Sequence, residues 1–236
     1  MRVFLSSGIL IAHMHYYNFF ILSLHTCIVT LITLLCLKLG KQFLIAYLAL
    51  LAVLMNLFVL KQINLFGLNI TCSDALAVGY LLGLNLIQEF FGKSAARTMV
   101  WIGFLTAITF LFLSQIHLLY YPNQADTMHS TYNALLKPQI RIIFASLISF
   151  LAVQLLDIRF FSYLRKKLGK NHLAIRTSIS LLLSEGIDTV LFSFLGLAGL
   201  VDSIWHIILF SFLAKLLVIA LSLPFLDLSR RMHVQV

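Results

Sequence analysis

Residues 202–226 read DSIWHIILFSFLAKLLVIALSLPFL. After Asp202 this run holds one charged side chain, Lys215, thirteen residues in and so at its middle. Twenty-five residues of helix at ~1.5 Å each reach roughly 37 Å, more than the ~30 Å hydrocarbon core of a bilayer. A helix apolar on every side has lipid or protein, not water, as its solvent. The same reading holds for six further runs, at 17–39, 43–60, 73–91, 98–119, 139–163 and 173–199. The pattern therefore predicts an all-α fold: a polytopic integral membrane helix bundle of about seven transmembrane helices, forming one transmembrane domain over residues 1–236.

The composition agrees. Of 236 residues, 61% are hydrophobic and 11% charged, with a mean hydropathy of +1.01. A soluble domain carries roughly 25% charged residues to cover its surface. The net charge of +9 would suggest nucleic acid in a soluble protein. Here it marks basic loops beside a lipid bilayer, and no direct nucleic-acid partner is expected. Cys27, Cys36 and Cys72 show no paired spacing, so neither a disulfide framework nor a zinc site is indicated. The N-terminus lacks the small-residue cleavage pattern of a signal peptide, and the first long apolar run reads as a retained span.

Lysines and arginines set the expected orientation. Alternate connections hold Lys38 and Lys41, then Lys93 and Arg97, then Arg165, Lys166, Lys167, Lys170 and Arg176, and finally Arg230 and Arg231. The opposite set holds Arg2, Lys61, Lys137 and Arg141. The positive-inside rule places the N-terminus outside and the C-terminus in the cytoplasm of a bacterial inner membrane.

The chemistry lies in the residues that such helices should avoid. A charge at the bilayer centre costs roughly 2.5–3.5 kcal/mol on insertion scales. Glu185 and Asp188 lie twelve and fifteen residues into the sixth run, Lys215 thirteen into the seventh, and Gln154 fifteen into the fifth, followed by Asp157. Residues three apart share a helix face, so Glu185 pairs with Asp188 and Gln154 with Asp157. Three helices thus converge polar groups near one depth, where transporters place substrate sites. A single ion pair is ordinary interhelical glue. Two carboxylates facing one lysine are harder to explain that way, because an unpaired buried charge is expensive. Asn85 lies inside the third run, Glu89 falls near its inner end, and Asp74 is expected to cap its outer end. Gly79 and Gly83 form a small-xxx-small pattern suited to close helix packing. Arg141, at the outer end of the fifth run, snorkels to the surface on its plainest reading.

Other signals are weak. His13 and His15 have no third ligand at suitable spacing, and no metal, nucleophile or phosphate-loop motif occurs, so no cofactor is expected. An enzyme using Glu185, Asp188 and Lys215 as acid and base would lack a nucleophile–base pair. A structural or assembly factor would tolerate neutral replacements at those positions. Nothing in the pattern fixes whether copies associate as a homo-oligomer.

Four stretches together resemble the queuosine-precursor transporter family, also called the vitamin uptake transporter or VUT family. They are Asn85-Leu-Ile-Gln-Glu-Phe-Phe-Gly-Lys93; Arg141 followed by Gln154-Leu-Leu-Asp157 and Phe-x-x-Leu-Arg165; Thr177 through Ser184 with Asp188-Thr189 and Phe192; and Lys215. Their order and spacing match from about residue 60 to 226. Departures are Asn85, often Asp in relatives, Glu185, usually an amide or small polar residue, and Val78, commonly proline. The resemblance implies a six-span transporter core over 43–226, with 17–39 as an additional N-terminal span. It also implies import of a deazaguanine: a queuosine precursor nitrile or amine, or queuine. Asn85, Arg141, Gln154, Asp157, Glu185, Asp188 and Lys215 become the candidate substrate-binding residues. Glu185 or Asp188 would read the base, Gln154 and Asn85 would complete its hydrogen bonds, Lys215 would balance charge, and Phe192 and Phe194 would stack on the rings. A substrate-binding subunit of an energy-coupling-factor vitamin transporter is the alternative. The first run lacks the Ala-x-x-x-Ala docking pattern of that class.

Overall fold

The computed structural model describes the backbone of residues 2–59, 61–66, 68–137, 140–169, 172–199, 203–226 and 229, with the side chains of 2–12, 68–69 and 140–143 outside the described set. Seven α-helices dominate: α1 Arg2–Leu39, α2 Lys41–Phe58, α3 Asp74–His117, α4 His129–Leu136, α5 Ile140–Leu168, α6 Leu173–Phe192 and α7 Ile204–Ser222. A π-helical turn, Ser193–Leu197, extends α6. A short hairpin of β1 Gln62–Leu65 and β2 Leu68–Thr71 joins α2 to α3. The apolar periodicity of the flanking spans gave no hint of these strands.

Six of the described helices are long and apolar enough to cross a bilayer. One of them, α3, is 44 residues long, roughly 66 Å if straight and twice the hydrocarbon thickness. It is not straight. At Gly92 the backbone takes φ 89°, ψ 169°, a region that glycine alone occupies readily. There the chain doubles back: Tyr80, twelve residues before the bend, donates its hydroxyl to the Met99 carbonyl at 3.4 Å and lies where a Cβ on Gly103 would stand. Residues 74–91 and 93–117 are therefore two crossings, and the bundle has seven, as the apolar runs predict.

In hydrocarbon every backbone polar group needs an internal partner, so the joints must be brief. Gly40 (φ 117°) is the whole connection between α1 and α2; its N–H donates to the Cys36 and Leu37 carbonyls at 3.1 and 3.2 Å. Buried threonine hydroxyls bond back along their own helix, Thr26 to the Leu22 carbonyl and Thr33 to that of Val29.

The tightest packing lies between α2 and residues 74–91. Leu48 fills the space beside Gly83, and Val29 of α1 that beside Gly79, each too near to admit a Cβ. The small-residue stripe thus serves close packing. These contacts run α2 antiparallel to residues 74–91, so Gly40, Gly92 and the α5–α6 connection come to one end of the bundle. That end holds Lys38, Lys41, Lys93, Arg97, Arg165, Lys166 and Lys167 and is here called the basic end. The hairpin lies at the other. There Phe66 packs its ring against His15, Tyr16 and Phe19 of α1, and Asn18 donates to the Asn64 carbonyl at 3.2 Å.

The outer surface is apolar in stripes at helical spacing: Phe20, Leu24, Ile28, Leu31 and Leu35 on α1, and Trp101, Leu105, Ile108 and Phe112 on α3, all exposed. Stripes of this extent are what a lipid-facing surface requires. The polar groups are inside.

Candidate substrate site in the bundle core

The seventh-span lysine finds both sixth-span acids. Lys215 Nζ lies 2.8 Å from Glu185 Oε2 and 2.7 Å from Asp188 Oδ2. Glu185 and Lys215 are buried, while the Asp188 side chain is 29% exposed. The pairing follows from sequence spacing, since residues 185 and 188 share one α6 face. Glu185 Oε1 has no partner among the described residues.

One helical turn toward the basic end, Asp157 of α5 is fully buried. It does not reach Lys215. Its Oδ1 accepts hydrogen bonds from Ser180 at 2.6 Å and Ser184 at 2.8 Å, both on α6. Serines four apart on a helix point the same way, so both hydroxyls meet one oxygen. Gln154, one turn before Asp157, is buried with Oε1 unpartnered.

Asn85 enters the same layer from α3. Gln88, three residues on and on the same face, donates to the Ile158 carbonyl at 3.0 Å and to Ser162 at 2.7 Å. That register sets Asn85 level with Gln154 and Asp157 of α5, because the two helices run parallel there. Asn85 is wholly buried, and both its amide atoms lack partners among the described residues.

Of the sequence-derived site residues, the fold thus brings Asn85, Gln154, Asp157, Glu185, Asp188 and Lys215 into two adjoining polar layers of the core. Arg141 lies in the backbone of α5, but its side chain is outside the described set. Phe194 does not fit the stacking expectation: it is exposed, with its ring edge-on to Trp205 at 5.7 Å. Phe192 is half-buried beside Gly196.

Three features escaped the sequence reading. Asp74 is not the cap expected of it: Ser73 holds that position without a capping bond, and Asp74, the first helical residue, is buried and accepts from Thr71 at 2.9 Å. Ser180 and Ser184 are polar residues four apart in an apolar run, a detectable sign that something polar faces them. Arg176 looks like an ordinary loop cation, yet it is completely buried. It forms an ion pair with Glu89 at 2.8 Å, lies over the Phe161 ring at 5.5 Å and donates to the Gly169 carbonyl. Arg165 also approaches Glu89, at 3.5 Å. Glu89, expected at the interface, thus ties α3, α5 and α6 together at the basic end. Just outside this tie a cleft of about 330 Å³ is lined by Gln88, Lys93, Ser162, Arg165, Lys166 and Gly169.

A membrane-length helix bundle that hides charges and unpaired amides between its helices has the architecture of a multi-pass membrane transporter. Residues 76–228 match the family model described as "Putative vitamin uptake transporter", and the chain belongs to that family. It is 29% identical over 196 residues to the protein of Bacillus subtilis (strain 168) named "Probable queuosine precursor transporter", an alignment covering 82% of this chain and 86% of that relative. No solved structure matches the chain.

Proposed function

We propose that this transporter imports queuosine precursors, deazaguanine bases or queuine, across a bacterial inner membrane for use in tRNA modification. The observation that carries the reading is the set of Asn85, Gln154 and Glu185 in the two adjoining polar layers. Each presents a buried polar atom without a partner among the described residues, and a buried polar atom left unpaired costs about 1–3 kcal/mol. A flat heterocycle with a guanine-like edge offers what those atoms lack: N–H and amino donors for Glu185 Oε1 and Gln154 Oε1, and a ring carbonyl for the Asn85 amide. Lys215 holds Glu185 through Oε2 at 2.8 Å, which leaves Oε1 free to accept. The name of the Bacillus subtilis relative points to the same cargo.

The basic end faces the cytoplasm in this reading, in accord with the positive-inside rule, with the N-terminus outside and the C-terminus inside. The Glu89–Arg176 tie then closes the cytoplasmic side of the substrate layer. Opening it would release cargo into the cleft beside Lys93 and Arg165.

The test is uptake in cells that neither synthesise nor import queuosine precursors, each deazaguanine being supplied in turn and queuosine in tRNA measured. Restoration by at least one compound is expected, with loss in E185Q at normal membrane abundance. No restoration by any, despite confirmed insertion, overturns the proposed cargo.

A further inference from the structure

Asp157 is a buried carboxylate that no cation meets among the described residues. Glu185 and Asp188 share Lys215, and Glu89 meets Arg176 and Arg165. Asp74, at the hairpin end of α3, accepts from Thr71 at 2.9 Å. Among the described residues, the hydroxyls of Ser180 and Ser184 are the groups that hydrogen-bond to the Asp157 carboxylate.

Among the described residues, no charged group on α5 or on the elements packed against it pairs with Asp157, and Lys93, Arg97, Lys166 and Lys167 lie at the basic end. On α6, Arg176 holds Glu89 and the Gly169 carbonyl, while Glu185 holds Lys215 with Asp188. On α3, Glu89 faces the two arginines. On α5 itself, Arg165 leans to Glu89 and Arg159 is exposed. A bare carboxylate sealed inside a membrane bundle carries a large desolvation cost. Two neutral hydroxyls lower that cost but do not cancel the charge.

The surroundings of Asp157 are rich in oxygen. Oδ1 has both serine oxygens within 2.8 Å. Among the described residues Oδ2 has no partner, nor has Thr177 Oγ1, which is buried one turn before Ser180 on the same face of α6. Hard cations without redox chemistry take such all-oxygen sets, and divalent sites gather several carboxylates where this one has a single charge. One negative charge among hydroxyls matches one positive charge.

We propose that Asp157, with Ser180, Ser184 and Thr177, forms the site of a monovalent coupling cation, sodium or a proton, set directly beside the substrate layer. The coupling role rests on the uptake reading above; the binding of the cation does not, and it is measured without any substrate. Binding and release alternate between two states of the same carboxylate, charged with the cation on it or bare. Its place between α5 and α6 lets cation occupancy bear on the packing of the helices that carry Gln154 and Glu185.

Two arms distinguish the cations. Purified protein in detergent is melted in sodium chloride, against potassium and choline chloride at equal ionic strength. If sodium is the cation, the midpoint rises by about 5–10 °C at roughly a hundredfold excess over half-saturation. The rise disappears in D157N, and T177V raises the half-saturating sodium concentration about tenfold, the worth of one lost ligand. If the proton is the cation, sodium has no effect. Infrared difference spectra then show a protonated-carboxyl C=O band that titrates in the wild type and is missing in D157N. The Asn amide oxygen still accepts from both serines, so D157N retains the α5–α6 contact. Absence of both the sodium shift and the Asp157 carboxyl band overturns the site. A protein that restores queuosine yet shows neither signal loses the cation site and keeps its cargo; the reverse result loses the cargo and keeps the site.

Discussion

Lys215 Nζ stands 2.8 Å from Glu185 Oε2 across the α6–α7 contact, with both side chains buried. The two helices are thus joined at mid-span by an ion pair, whose second acid, Asp188, reaches the same nitrogen from the more open side. Removing the lysine leaves two carboxylates facing each other in a medium that solvates neither. K215M should therefore lose about 3–5 kcal/mol of stability and all uptake. The double variant E185Q/K215M should regain most of the stability and none of the uptake. Denaturation in detergent beside the tRNA assay checks both.

Asn85 offers a contrary signature. Its amide is buried with neither atom paired, so the fold gains nothing from it. N85L, close in volume, should leave stability unchanged or raise it by about 1 kcal/mol while uptake falls at least tenfold. Equal loss of both would make Asn85 a packing residue.

The Glu89–Arg176 pair at the basic end should behave as structure rather than as cargo recognition. R176M strands Glu89 beside a more distant Arg165 and should cost about 3–5 kcal/mol. E89Q/R176M should recover most of it, read as expression level and melting midpoint.

A Cβ on Gly92 would meet nothing within 4 Å, yet its φ is +89°, a combination shared by Gly169 and Gly199. The penalty for G92A is therefore conformational and not steric, about 1–3 kcal/mol. The same change at Gly83 would drive a methyl into Leu48, and G83A should lose more stability than G92A unless Leu48 repacks. Melting the two variants in parallel compares the two effects.

Orientation is checked with single cysteines in a background where Cys27, Cys36 and Cys72 are replaced. A cysteine at Gln124, in the loop before α4, should react with an impermeant maleimide in intact cells. One at Lys167 should react only after permeabilisation. The opposite pattern would reverse the proposed topology and place the Glu89–Arg176 tie on the outside.

Much of the molecule was legible from the sequence because the bilayer imposes a one-dimensional rule. A run such as 202–226 must cross as a helix whatever its neighbours do, since no other conformation satisfies its backbone in hydrocarbon. Glu185, Asp188 and Lys215 were legible for the same reason: each stands where an unpartnered charge is costly, and spacing puts the two acids on one face. The break between the third and fourth crossings was also visible as a polar gap, although its form, a doubled-back helix turning on Gly92, was not.

What the sequence left open depends on register between helices, which no local pattern encodes. Only the tertiary packing gave Lys215 to Glu185 and Asp188 and withheld it from Asp157, which met Ser180 and Ser184 instead. Only packing drew Arg176 out of a basic loop and buried it against Glu89, and only packing set Asn85 level with Gln154. The sequence by itself determined that charges lie inside the membrane, because lipid excludes them everywhere. Which charge meets which was decided by how the helices slide and rotate against one another, set by contacts as small as Leu48 against Gly83.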